Sequence, residues 1–161
     1  MAGVRTVLVI GLAALALAGC SAGSDANPAP VKLDDLDLKP YVAKPCSLLT
    51  ADQRSDLGLP KPGVDRSTAP NMGTCFLTAG ETDRAVTLQL ATDYPIPTAA
   101  PDKITIAGYP AVEIKSATAC KVEVGVGGKE QVASLATGPE ACHLAENVAT
   151  SAIGTIKQHS P

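Results

Sequence analysis

Apolar and polar side chains alternate through the middle of the chain. Ala85-Val-Thr-Leu-Gln-Leu-Ala91 sets Val86, Leu88 and Leu90 on one face and Thr87 and Gln89 on the other, the pattern of a half-buried strand. Thr74 to Thr78, Lys103 to Ile106, Ala111 to Lys115, Cys120 to Val126 and Gln131 to Leu135 read as further strands. Gly127-Gly128 supplies the positive φ angles of a tight hairpin turn, so the last two strands should pair antiparallel. Toward the C-terminus the period changes. Cys142, Ala145, Val148, Ala149, Ala152, Ile153 and Ile156 recur three and four residues apart, which predicts a long amphipathic helix. Thr137-Gly-Pro-Glu140 in front of it has capping-box spacing. A second such box, Thr50-Ala-Asp-Gln53, predicts a short helix running to about Leu57 and ended by Gly58. Pro60-Lys-Pro-Gly63 then opens a long loop, and Pro95 to Pro101 forms another. The predicted fold is α+β: an antiparallel sheet of about five strands, with a short N-terminal helix and a long C-terminal helix packed on one face.

The first residues have a different texture. Arg5 precedes an unbroken apolar run from Val7 to Ala18, and small residues follow, which is the order of a secretory signal. The run closes on Leu17-Ala18-Gly19-Cys20, which resembles the lipobox of bacterial lipoprotein signals: an aliphatic residue, two small ones and an acceptor cysteine. The chemistry explains the pattern. A signal peptidase must seat small side chains before the cut, and diacylglycerol is attached to a thiol. Residues 1–19 are therefore expected to be removed and Cys20 lipidated, holding the protein on the outer face of the cell membrane. A spanning helix needs about 20 predominantly apolar residues, and this run gives way to Gly-Cys-Ser-Ala-Gly-Ser after Ala18. From 20 to 44 the chain is rich in Ser, Ala, Pro and Asp and reads as a lipid-anchored flexible tether, although Leu33, Leu36 and Leu38 could instead pack on the domain. The domain proper is placed at 45–161.

Composition narrows the function. Removal of the signal leaves 12 basic against 16 acidic side chains, with no Lys/Arg cluster, which disfavours nucleic acid as a partner. Four aromatics (Tyr41, Phe76, Tyr94, Tyr109) and no tryptophan argue against recognition by stacking on sugars or bases.

With Cys20 assigned to lipid, Cys46, Cys75, Cys120 and Cys142 remain, an even number in an oxidising compartment. Of three possible connectivities, Cys46–Cys75 with Cys120–Cys142 is preferred because it pairs sequence neighbours and closes two compact loops. No C-x-x-C or H-x-x-x-H spacing is present, and the only histidines are His143 and His159, so no metal or cofactor is expected.

Three places invite a catalytic or ligand-binding reading. Gly125-Val-Gly-Gly-Lys129 looks like a phosphate loop, but Glu123 stands where the first glycine is required and Glu130 where Ser or Thr is, so it reads as a turn. Glu113 and Glu123 are candidate paired carboxylates on adjacent strands, weighed against the commoner outcome that alternation places them in solvent. His143 is the one histidine inside an element and a candidate general base, but no nucleophile motif such as G-x-S-x-G accompanies it, and a partly exposed structural histidine fits better. No catalytic residue is assigned.

The lipobox, the Pro45-Cys-Ser-Leu-Leu-Thr50 opening, Cys75 at the first strand, the Gly108-x-x-Ala111-Val112 hairpin, Cys120 and the closing Cys142 helix together resemble a family of actinobacterial cell-envelope lipoproteins catalogued as a domain of unknown function. The resemblance implies a lipid-anchored, disulfide-bonded α+β domain and brings no catalytic residues. The leading expectation is a non-enzymatic binding or interaction module for a small molecule, lipid or protein. An apolar cleft between sheet and helix would favour lipid, and a flat exposed patch would favour protein. The alternatives are a small envelope hydrolase or transferase using His143, and a structural surface protein without a discrete ligand.

Overall fold

The computed structural model describes residues 33–80, 83–94 and 103–160. The expected signal segment, Cys20 and the expected loop from Pro95 to Pro101 lie outside them. Helix α1 (Lys39–Val42), a 3-10 turn (Pro45–Leu48) and helix α2 (Ala51–Asp56) come first. Seven strands follow: β1 (Val64–Ala69), β2 (Met72–Thr78), β3 (Ala85–Ala91), β4 (Lys103–Ile106), β5 (Tyr109–Lys115), β6 (Ala119–Gly127) and β7 (Glu130–Thr137). Helix α3 (Ala141–His159) closes the chain. The strands form one antiparallel sheet in the order β1-β2-β3-β7-β6-β5-β4.

The sheet thus has seven strands rather than about five. Each alternating segment becomes a strand, and β1 adds another where a loop is expected. Val64-Asp-Arg-Ser-Thr-Ala69 carries no apolar alternation because it is an edge strand, pairing β2 alone and largely exposed. The α2 capping box forms with both arms: Gln53 N donates to Thr50 Oγ1 at 3.2 Å, and Thr50 N donates to Gln53 Oε1 at 2.8 Å. The second box does not form. Thr137 ends β7 and its hydroxyl donates to the Asp83 carbonyl, while α3 starts at Ala141 after Glu140 in a left-handed conformation, with no side-chain cap. Pairing continues to Thr137, so its backbone belongs to the ladder and cannot turn to cap a helix.

One face of the sheet is the core. Cys75 and Leu77 of β2, Val86, Leu88 and Leu90 of β3, Val132 and Ala136 of β7, and Val122 and Val124 of β6 lie on it, all at most 1% exposed. Helix α3 buries Leu144, Ala145, Val148, Ala149, Ala152, Ile153 and Ile156 against β6 and β7. Its docking is fixed by a polar contact within the core, Ser134 Oγ to the Ala145 carbonyl at 2.7 Å.

Leu48, Leu49, Leu57 and Leu59 help to cover the remainder of the core face, and so does the segment before Pro45, which is where the expected boundary fails. Leu36 (5% exposed), Leu38 (0%) and Val42 (7%) are core residues. Leu36 N donates to the Val126 carbonyl at 2.8 Å, which a bulge between Gly125 and Gly127 sets free from the ladder. Leu38 N donates to Glu130 Oε2 at 2.6 Å, and the Tyr109 hydroxyl donates to the Asp34 carbonyl at 2.8 Å. The strap lies so close to the sheet that a Cβ on Gly73 would overlap the Val42 carbonyl, and one on Gly127 would come within 2.6 Å of the Asp35 Cβ. Polar composition suggested a tether over 20–44. The aspartates do face water, but the leucines between them face the core, so the domain begins by Leu36.

Each cover carries a disulfide. Cys46–Cys75 joins the strap to β2, with Cα atoms 4.9 Å apart, and Cys120–Cys142 joins β6 to the first turn of α3, with Cα atoms 4.8 Å apart. Both pairs are sequence neighbours.

Burial of the three strap side chains stabilises the fold by roughly 1.5–3 kcal/mol each, a total comparable with the whole stability of a small domain, about 5–15 kcal/mol. A chain starting at Pro45 should therefore fail to unfold cooperatively in urea, whereas one starting at Leu33 should give a single transition. The Leu38→Ala variant of the longer chain should lose about 2–5 kcal/mol.

Candidate functional site

The register of the strands decides which side chains share the sheet face away from α3. One row runs Val64, Phe76, Thr87, Leu135, Lys121, Ile114 across six strands, each a direct partner of the next. Its four large apolar members are conspicuously open: Val64 is 52% exposed, Ile114 46%, Phe76 40% and Leu135 40%. Among the described residues no helix packs on this face. A shallow depression of about 260 Å³ sits mid-row, lined by Thr87, Gln89, Lys121, Ala133 and Leu135. The adjacent row runs Arg66, Thr74, Gln89, Ala133, Glu123, Val112, Lys103, with exposed basic residues at both sheet edges. Sequence reading did not single out this site. A signal for it exists: Phe76, Leu135 and Ile114 occupy the phase of the alternation that should be polar.

The two glutamates are not a pair, and they are not in solvent. Glu113 pairs in register with Val122 and Glu123 with Val112, so the carboxylates point to opposite faces of the sheet. Glu123, 4% exposed, lies on the outer face in an ion pair with Lys121, its other oxygen without a partner. Glu113, 6% exposed, lies on the core face, with Oε1 2.7 Å from Lys115 Nζ and Oε2 3.6 Å from Cys120 Sγ. Alternation alone places a residue on a face but does not say which face is covered.

His143 is exposed on the first turn of α3, and the Asn147 side-chain nitrogen is 3.4 Å from both ring nitrogens. No carboxylate or hydroxyl bonds to the ring among the described residues. It stands at the rim of a cavity of about 400 Å³ whose wall includes Cys120, Cys142 and the 116–119 turn. The Gly-Gly-Lys stretch makes the β6–β7 turn, with Gly127 at φ 148° and Gly128 at φ 45°. Two groups of metal-ligating types converge, Cys46 with Asp65 and Cys75, and Glu113 with Cys120 and Cys142. In each the cysteines are bonded to one another, so neither offers free thiolates.

The strap borders two acidic clefts. One of about 520 Å³ is lined by Asp35, Asp37, Asp93 and Glu130 among others, and one of about 620 Å³ by Asp34, Asp35, Tyr109 and Lys157. Burial, followed by the charges of Asp34 and Asp35, raises the Tyr109 hydroxyl above its ordinary pKa. Lys157 lies 4.7 Å above the tyrosine ring and donates to the Ala107 carbonyl at 2.8 Å. Burial is also the largest cause of a raised Glu130 pKa; Asp37 and Asp35 add to it, while the Leu38 N–H and Lys39 oppose it.

A carboxyl that holds its proton more tightly when folded contributes stability that is complete below its unfolded pKa, ordinarily 4.5, and lost as pH rises through the higher folded value. Glu130→Gln keeps an oxygen for the Leu38 N–H and removes the charge. Thermal melts should find this variant slightly more stable than the parent at pH 7, with the advantage closing as pH falls below about 4.5.

No helix among the described residues is long and apolar enough to cross a membrane. No curated protein and no solved structure matches the chain. A family model does, over residues 15–155, nearly the full length, so the chain belongs to the family described as "Protein of unknown function (DUF3558)".

Proposed function

We propose that the protein is a cell-envelope lipoprotein, lipidated on Cys20, whose domain is an interaction module that docks a protein partner on the outer face of its sheet. The observation that carries this reading is the row Val64, Phe76, Thr87, Leu135, Lys121, Ile114, in register across six strands, with four aliphatic or aromatic side chains at 40–52% exposure. A lipid-binding reading has less support, because the space between sheet and helix is filled by fully buried side chains such as Leu88, Ile153 and Ile156. A hydrolase reading would need a partner for His143, whose ring meets only Asn147 among the described residues.

The chemistry of the face specifies the partner. An apolar strip with Lys121 inside it and Arg66 and Lys103 at the flanks suits a protein surface with an apolar centre and an acidic rim. The thirteen residues from Cys20 to Lys32 could span up to about 40 Å if extended, enough to clear the lipid headgroups and short enough to keep the domain near the membrane.

Two outcomes are expected. Cys20→Ser should move the protein from the membrane to the soluble fraction, with both disulfides intact by mass mapping under non-reducing conditions; continued membrane association would remove the anchor from the proposal. A photo-crosslinking side chain at Leu135 should capture a protein in intact cells, and Ile114→Asp should abolish that adduct while changing stability by less than about 0.5 kcal/mol, as exposed positions do. Adducts to lipid alone, or equal capture from a probe at exposed Asp56, would overturn the docking site.

A further inference from the structure

The two disulfides have contrasting surroundings. At Cys46–Cys75, Cys75 is 0% exposed and Cys46 half-buried, and the backbone at Gly63 runs so close that a Cβ there would lie 2.6 Å from both sulfurs. Cys120–Cys142 opens on the cavity of about 400 Å³ between the 116–119 turn and the start of α3, and both its cysteines form part of the wall. Cys142 is half-buried at the second position of a 19-residue helix, and Cys120 is 1% exposed behind it.

Two further features converge on this bond. Glu113, 6% exposed, directs Oε2 at Cys120 Sγ from 3.6 Å. The sulfur has no hydrogen while it is in the disulfide; opening the bond turns that approach into an S–H···O contact. Lastly, Oε1 of Glu113 meets Lys115, whose side chain is 60% exposed, so the buried carboxyl is connected to solvent.

We infer that Cys120–Cys142 is a thiol–disulfide exchange site, with Cys142 the sulfur that reacts with an external protein dithiol or disulfide and Glu113 the proton acceptor for buried Cys120. The closing half-reaction runs as follows. The Cys142 thiolate attacks an external disulfide, forming a mixed disulfide and expelling one external thiolate. Glu113 takes the proton from the Cys120 thiol, and the resulting thiolate attacks Cys142 Sγ, expelling the second external thiolate. The cysteines lose two electrons and the external disulfide gains them. In reverse, an external dithiol is oxidised. This inference goes beyond the docking function and does not depend on it.

The test uses the folded protein with both disulfides. After brief treatment with dithiothreitol at pH 7 without denaturant, alkylation and peptide mass mapping should label Cys120 and Cys142 at least about 100-fold faster than Cys46 and Cys75. In Cys120→Ser, Cys142 should retain a mixed disulfide with a small aromatic thiol. Glu113→Gln, which preserves shape, should slow reclosure by glutathione disulfide at least about tenfold at pH 7, with the deficit shrinking as pH rises and hydroxide replaces the carboxylate as proton acceptor. If both disulfides open together, at the rate of global unfolding, the site is refuted. A defect in Glu113→Gln that is independent of pH would refute the role of the carboxylate.

Discussion

The fold depends on covering one face of a seven-stranded sheet with very little helix. A sheet face this wide cannot be buried by α3 alone, which packs on β6 and β7. The strap from Leu33 through the 3-10 turn supplies the missing cover over β2 and β3, and its Leu36, Leu38, Val42 and Leu48 side chains enter the same core as the helix. Neither cover is self-sufficient. The strap has only single helical turns of its own, too short to be stable alone, and a lone amphipathic helix has nowhere to bury its apolar stripe. Each is tied to the sheet by one disulfide, and the two crosslinks divide the covering layer between them. Closing loops of 29 and 22 residues removes unfolded-state entropy worth roughly 3–4 kcal/mol apiece on the chain-entropy estimate.

That arrangement sets the character of the opposite face. With both covers on the core side, the described structure leaves an open row of apolar side chains on the other, bounded by charged groups at the sheet edges. Singly exposed hydrophobic residues are ordinary; four in one register row of a sheet face are less so. The same asymmetry explains the glutamates. One residue of register separates Glu113 from the partner of Glu123, and a pleat of period two sends them to opposite sides. One thereby joins Lys121 on the outer surface, and the other sits under the helix cover beside a disulfide. The two disulfides differ in what lies over them: the segment leading into β1 passes over the Cys46–Cys75 crosslink at Gly63, whereas α3 begins at its crosslink, which lines a cavity.

The sequence by itself determined the elements whose cause is local. Period-two alternation, the Gly127-Gly128 turn, the Thr50–Gln53 box and the stripe of α3 each rest on interactions within a few residues, and so they are visible without the fold. The resemblance of Leu17-Ala18-Gly19-Cys20 to a lipobox is likewise a linear pattern. Only the tertiary structure decided what is non-local. An edge strand such as β1 is held by its partner's hydrogen bonds and needs no apolar code. The strap hides its core residues among aspartates and prolines because its burial comes from a sheet assembled later in the chain. The outer-face row, the separation of Glu113 from Glu123 and the approach of Glu113 to Cys120 all follow from register across strands far apart in sequence, which no single segment can specify.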